Sequence, residues 1–329
     1  MNCKLVTIIP YYQRKSGILA KAIRSALDQT GIADFNIIVV DDVSPIPAIE
    51  ELSCFSARER ARIQIIKQKK NSGPGAARNR ALDSLSRDVD YVAFLDSDDA
   101  WTTTHLSTSI AALQREYDFY FADHFQLNQI ISAFNRAKRL DLENHKLIDD
   151  NLKLYEYVGD MFNQTLTGNI IGTSTVVYRF PKFPELRFRE EYRNAGEDYL
   201  FWLEISALTK KFVFSTACEC RYGEGVNVYS GAAWGTTECL RRIHDEIKYR
   251  KSVDELFQLS GGQTEQNKMK LKELRTQFVQ NLIHSLIRGS VSFNGLILNQ
   301  IQTDPAVLGY FVPVVFNALL RWKNKENVH

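Results

Sequence analysis

An α/β fold, with a mostly parallel central sheet flanked by helices, follows from three observations. Short runs rich in β-branched or aromatic residues recur at residues 5–10, 37–40, 63–66, 91–95 and 119–122. Stretches with apolar residues at helical spacing lie between them, at 17–29, 74–86 and 104–116. This alternation implies parallel strands with crossover helices on the sheet faces. Polar residues gather just after the strands, where ligands bind in such sheets.

Each element has its reason. Residues 5–10 read Leu-Val-Thr-Ile-Ile-Pro, continuous as in a strand buried on both faces. Over 17–29, Ile18, Leu19, Ala22, Ile23, Ala26 and Leu27 share one side. The second strand ends in Asp41-Asp42, with Pro45 and Pro47 marking a loop. Pro74 suits the first turn of the 74–86 helix, where its missing N–H costs nothing. The fourth strand ends at Asp96. From 130 to 165 the pattern is polar and irregular, read as helical pieces and loops. A strand is expected at 173–178, a helix at 197–208 and a last strand at 212–215. Helices at 236–252 and 264–288 follow, with Gly261-Gly262 as the break between them.

Composition narrows the function classes. The chain has 329 residues, 44% hydrophobic and 24% charged, which suits a globular protein with a real core. Mean hydropathy of −0.26 excludes a multi-span membrane protein. A formal charge of +2 argues against nucleic acid as partner. That charge divides as +1, −4 and +5 over residues 1–100, 101–208 and 209–329. Five scattered cysteines (Cys3, Cys54, Cys218, Cys220, Cys239) argue for a reducing compartment, with Cys218 and Cys220 as ordinary strand residues. The run after Lys4 is too short for a signal peptide, so a cytoplasmic location is expected.

Four constellations carry chemistry. Asp96-Ser97-Asp98-Asp99 sets three carboxylates at a strand end. Such groups repel unless a cation neutralises them, and hard oxygens suit Mg²⁺ or Mn²⁺. Read as structure alone, the same residues are a strand-end turn and a helix cap. Asp41-Asp42 can accept hydrogen bonds from a nucleobase or ribose, or simply form a solvated turn. In the stretch from Asn71 through Gly73 to Arg78, small residues let a backbone approach a ligand and Arg78 can pair a phosphate. It is neither a dinucleotide fingerprint nor a P-loop. Glu197-Asp198 opens a helix, where carboxylates serve as caps or as a positioned base.

In this order, Ile8-Ile9-Pro10-Tyr11-Tyr12, Val40-Asp41-Asp42, Asn71-x-Gly73 to Asn79, and Asp96-x-Asp98-Asp99 resemble family 2 glycosyltransferases of the GT-A fold. The resemblance is strong over residues 5–104 and weaker to about 235. It implies an inverting enzyme with a nucleotide-diphosphate sugar donor, UDP-linked. Pro10, Tyr11, Tyr12 and Asp42 would hold the base and Arg78 would lie near the nucleotide, with Asp41, Asn71 and Gly73 as further donor contacts. Asp96 would sit by the ribose or in the metal shell, with Ser97 among the donor contacts, and Asp98 would hold Mn²⁺ or Mg²⁺. Asp198 would be the general base, with Glu197 beside it in the same motif. Gly172 and Thr173, with Trp234 and Tyr229 from a Gly-rich loop, would face the acceptor. One departure is Val43, where the family often has Gly. By this resemblance residues 1–235 form the transferase domain, 1–125 for the donor and 126–235 for the acceptor, and 236–329 a helical C-terminal region. The rival readings are a nucleotidyltransferase and a non-catalytic nucleotide-sugar binder.

The tail is distinctive. From Gly289 to Leu320 the sole charge is Asp304, and Arg321, Trp322, Lys323 and Lys325 follow. A spanning helix needs about 20 apolar residues, and Pro313 and Asn317 interrupt this one. Two readings fit: an interfacial helix on the inner face of the membrane, or a helix docked on the core or in a homodimer. The former suits a lipid-linked glycan acceptor in bacterial O-antigen or capsule synthesis.

Overall fold

The computed structural model describes residues 4–32, 34–193, 195–225, 232–289 and 295–316. The chain divides into two units: residues 1–193 with 197–227, and residues 194–196 with 228–329.

In the first unit the strands are β1 (Leu5–Tyr11), β2 (Phe35–Asp41), β3 (Ile63–Lys67), β4 (Tyr91–Phe94), β5 (Ala100–Trp101), β6 (Phe119–Phe125), β7 (Lys146–Asp149), β8 (Leu154–Glu156), β9 (Val177–Arg179) and β10 (Phe212–Arg221). They form one sheet in the order β3-β2-β1-β4-β9-β6-β10-β8-β7, with β5 on β10. Strand β1 runs parallel to β2 and β4, and β6 parallel to β10. Strand β9 is antiparallel to β4 and β6 and lies between them, so residues 1–125 and 126–235 share a single sheet.

The helices of this unit are α1 (Ile18–Leu27), α2 (Ala48–Glu51), α3 (Ala57–Arg60), α4 (Pro74–Leu82), α5 (His105–Leu113), α6 (Ala133–Ala137), α7 (Met161–Gly168) and α8 (Glu197–Leu208). Side chains alternate across each strand. Leu5, Ile9, Tyr11, Phe35, Ile37 and Val39 pack with α1 and α5 on one face. Val6, Ile8, Ile38 and Val40 pack with α4 and α8 on the other. Burying each large side chain contributes about 1.5–3 kcal/mol, so two covered faces fix the register firmly.

Three expectations change. Residues 173–175 form a 3₁₀ turn and the strand covers Val177–Arg179 alone. Ser and Thr hydroxyls divert the backbone here: Thr175 Oγ1 donates to the Gly172 carbonyl at 2.8 Å. The irregular 130–165 stretch contains the antiparallel strands β7 and β8 as well as helices. Gly261-Gly262 is no break, because the following helix begins there behind a capping box of Ser260 and Gln263.

The second unit holds α9 (Thr237–Leu256), α10 (Gly261–Ile287) and α11 (Gly295–Thr303) around Leu240, Ile243, Ile247, Leu271, Leu274 and Phe278. Arg275 grips the buried Asp304 with two hydrogen bonds, at 2.7 and 2.9 Å. After it, Val307, Tyr310, Phe311 and Val314 pack onto the helical core. Leu308, Val312, Val315 and Phe316 remain exposed. Among the described residues no helix is long and apolar enough to cross a membrane. Asn317, Arg321, Trp322, Lys323 and Lys325 lie outside the described residues, as do Cys3 and Tyr229.

Candidate active site

The carboxyl ends of β1, β2 and β4 bring the expected donor residues together, but several act as scaffold. Pro10 and Tyr11 are buried, and Tyr11 belongs to the α1 face of the core rather than to a ligand surface. Tyr12 is half-buried. Asp41 spends both oxygens on the turn, accepting from the Ser44 N–H at 2.8 Å and the Ala48 N–H at 2.9 Å. It therefore shapes the loop instead of offering a free carboxylate to a base.

Asp42 is 3% exposed and accepts from Gln68 Nε2 and the N–H groups of Ser72 and Gly73, at 2.8–2.9 Å. Burial pushes its carboxyl up while those N–H groups pull it down. Asn71 donates to the Asp42 carbonyl and accepts from Arg193 at 2.6 Å. Gly73 has φ 92°, and a side chain there would press on the Arg193 backbone at 3.2 Å. Asp42, Asn71 and Gly73 thus tie the β2 turn to the start of α4. Between the two tied residues Asp42 and Ser44, Val43 sits at φ 58°. A β-branched residue in the left-handed region is strained, which is the physical content of its departure from Gly.

Arg78 is 3% exposed, on α4. It donates to Asp96 at 2.6 Å and to Glu197 at 3.3 Å, and its guanidinium lies 5.2 Å from the Phe188 ring centre. It serves two carboxylates rather than an open phosphate site. Glu197 lies against Gly75, and burial pushes it up to about 8, with Asp198 adding to the rise and Arg78 opposing it. It is a buried partner of Arg78, not a group presented to a substrate.

The strand-4 acids divide their roles. Asp99 accepts from Ser174 Oγ at 2.5 Å and from the Gly223 N–H at 3.1 Å. Ser174 Oγ in turn accepts from the Asp96 N–H at 3.0 Å. Ser97 is buried and takes a hydrogen bond from Gln13 Nε2 at 3.1 Å. Asp96 is one-third exposed and Asp98 half-buried. Burial, then Asp96, pushes Asp98 up to about 6. Side chains at Gly223 or Gly225 would collide with Asp98, so these glycines let the chain close over it. Among the described residues no three His, Cys, Asp or Glu form a metal site alone. Two adjacent hard carboxylates still fit Mg²⁺ or Mn²⁺, which take few protein ligands and let phosphates complete the shell.

Asp198 sits at the start of α8, half-buried, and accepts from Thr173 Oγ1 at 3.0 Å and the Tyr199 N–H at 2.7 Å. It lines a cavity of about 420 Å³ together with Gly172, Thr173, His124, Tyr222, Arg136 and Arg139. Gly172 is pressed on His124 and Tyr222, whose rings stack at 4.5 Å. Trp234 belongs to the second unit, where its ring lies 6.4 Å from His284.

Residues 6–182 match the family profile described as Glycosyl transferase family 2. The chain belongs to that family. This glycosyltransferase is 34% identical over 227 residues to the succinoglycan biosynthesis protein ExoW of Rhizobium meliloti (strain 1021), covering 69% of this chain and 70% of that one. It is 34% identical over 122 residues to the Escherichia coli protein WfaP, named a UDP-Glc:alpha-D-GlcNAc-diphosphoundecaprenol beta-1,3-glucosyltransferase, covering 37% and 46%. Its fold matches that of S. aureus TarS 1-349 in complex with UDP-GlcNAc, at TM-score 0.54 and 19% identity, over 95% and 81% of the chains. The neighbouring structures are GT-A glycosyltransferases. The aligned stretch spans just 27–31% of three rickettsial glycosyltransferases.

Several residues of this transferase site escaped the sequence reading. Gln13 and His124 stand in no motif, and the sheet order alone brings them in. The parity of Tyr11 with Leu5 and Ile9 was a usable signal that it faces the core.

Proposed function

We propose that the chain transfers a sugar, with inversion, from a UDP-sugar to a hydroxyl of a lipid-linked glycan during bacterial polysaccharide assembly. The observation that carries this is Asp198, held by two hydrogen bonds in the wall of a 420 Å³ cavity on a family 2 scaffold. Its orienting partners leave lone pairs for an incoming hydroxyl, which is the geometry of a general base. Asp198 takes the hydroxyl proton as that oxygen bonds to the sugar's C1. The bond from C1 to the diphosphate breaks on the opposite side, so configuration inverts and UDP departs. Asp98 would hold Mn²⁺ or Mg²⁺, with Asp96 alongside. Such a cation supplies charge neutralisation for the leaving diphosphate.

The UDP-GlcNAc bound by TarS and the lipid-diphosphate acceptor in WfaP's name support the donor and acceptor classes. The exposed Leu308, Val312, Val315 and Phe316 would rest on the membrane interface, giving a peripheral location on its inner face. The test is Asp198→Asn. It should lower the transfer rate on the order of 10²–10⁴-fold while UDP binding persists. Loss of UDP binding as well would reassign Asp198 to structure.

A further inference from the structure

The acceptor cavity carries an excess of positive charge that the transfer chemistry does not use. Of its lining residues Asp198 is the acid, while Arg136 and Arg139 bring two guanidinium groups. Arg136 lies on α6, and Arg139 one residue beyond Lys138, which is in the left-handed conformation and ends that helix. Arg136 donates to the Gln126 carboxamide, and Arg139 to the Asn169 carbonyl at 3.2 Å. Neither has a carboxylate partner among the described residues. Both neutral contacts leave other guanidinium N–H groups to spare.

A second observation points the same way. His124 is 5% exposed, and its Nδ1 is buried with no hydrogen-bond partner. Its ring is pinned between Tyr222 and the Gly172 backbone, both in the cavity wall. An orphaned buried nitrogen is costly unless something completes it. The rest of the lining is mixed, with Phe134, Leu140, Ile170 and Ile171 beside the uncharged polar Gln126, Asn169 and Thr173. A mixed polar and apolar cradle, with two guanidiniums lacking a carboxylate partner and one unsatisfied imidazole, is chemically matched to a sugar that bears an oxyanion.

We propose that Arg136 and Arg139, with His124, form an anion subsite for the acceptor, so that the acceptor carries a negative group close to the hydroxyl being glycosylated. This rests on the transferase reading for the identity of the cavity. The anion has two chemical sources: a diphosphate linking the sugar to its carrier, or a carboxylate on the sugar itself. Arg136 and Arg139 are positioning and binding groups and take no part in proton transfer.

The test titrates butyl diphosphate, methyl glucuronide and neutral butyl glucoside into the wild-type chain and an R136Q/R139Q variant. EDTA is present, so no divalent cation recruits the diphosphate to Asp98. Both arginines are exposed, so the variant should melt with the wild type. The expected result is that one anionic probe binds the wild type and loses about tenfold or more in the variant, with the neutral glucoside unchanged. Loss for butyl diphosphate identifies the carrier linkage, and loss for methyl glucuronide an acidic sugar. Equal binding of both anions to the two proteins overturns the subsite, as does wild-type binding of neither anion better than the glucoside. UDP titrated with Mn²⁺ reads the transferase proposal separately. If the wild type fails to bind UDP while the anion loss persists, the transferase proposal falls and the subsite stands.

Discussion

Replacing Glu197 with Gln asks whether the fold keeps a proton on a buried carboxyl. Glu197 is 6% exposed, and burial raises it from 4.5 to about 8. Folding therefore binds a proton that the unfolded chain releases. For a group raised in the folded state, the stabilising contribution is complete below about 4.5 and is lost as pH climbs through about 8. At about 1.4 kcal/mol per pH unit the displacement corresponds to at most roughly 5 kcal/mol. Gln has the neutral shape at every pH and keeps an oxygen for Arg78 Nη1. The variant should match the wild type near pH 5 and exceed it by about 2–5 kcal/mol at pH 9. Urea unfolding at each pH from 5 to 9 gives the difference. A difference that stays flat with pH, or a wild type more stable at pH 9, would refute the reasoning.

Three other outcomes follow. Asp98→Asn should weaken Mn²⁺-dependent UDP binding about tenfold or more, read by calorimetry, while metal-free UDP binding holds. Gly225→Ala places a methyl within 2.2 Å of an Asp98 oxygen, so donor binding and the melting temperature should both fall, the latter by about 1–3 kcal/mol of lost stability. Arg275→Met leaves the buried Asp304 with Lys251 at 3.7 Å as its remaining cation, and should cost roughly 3–5 kcal/mol in urea unfolding.

The strands were legible in the sequence because a sheet covered on both faces demands continuous β-branched runs, as in β1 and β2. Helix α8 was legible to the residue, since Leu200, Leu203 and Ala207 recur at helical spacing behind the acidic start at Glu197-Asp198. The short antiparallel β5, β7 and β8 were not, because two to four residues carry no period to read. At the site, positions could be read but not directions. Asp41 and Asp42 look equivalent in sequence. The fold spends one on a turn and ties the other to three donors. Arg78 looks like a phosphate ligand, and nothing local reveals carboxylates 18 and 119 residues away. Arg136 and Arg139 lie in a polar, irregular stretch, and their common cavity exists only after β6, β10 and the Gly172 turn have come together. Trp234 resembled a sugar platform by residue type alone.

The Arg78 pairing also restricts how such a chain can change through descent. Loss of the guanidinium strands the Asp96 carboxylate, and loss of Asp96 leaves a buried cation short of its nearer partner. Either single step crosses a valley of reduced stability, although a neutral replacement of both on the far side could be as sound as the original. Drift by point mutation is therefore blocked at Arg78 and Asp96, while nearby loops remain free to diverge. New acceptor preferences would then accumulate around a donor platform that selection for folding alone is enough to hold still.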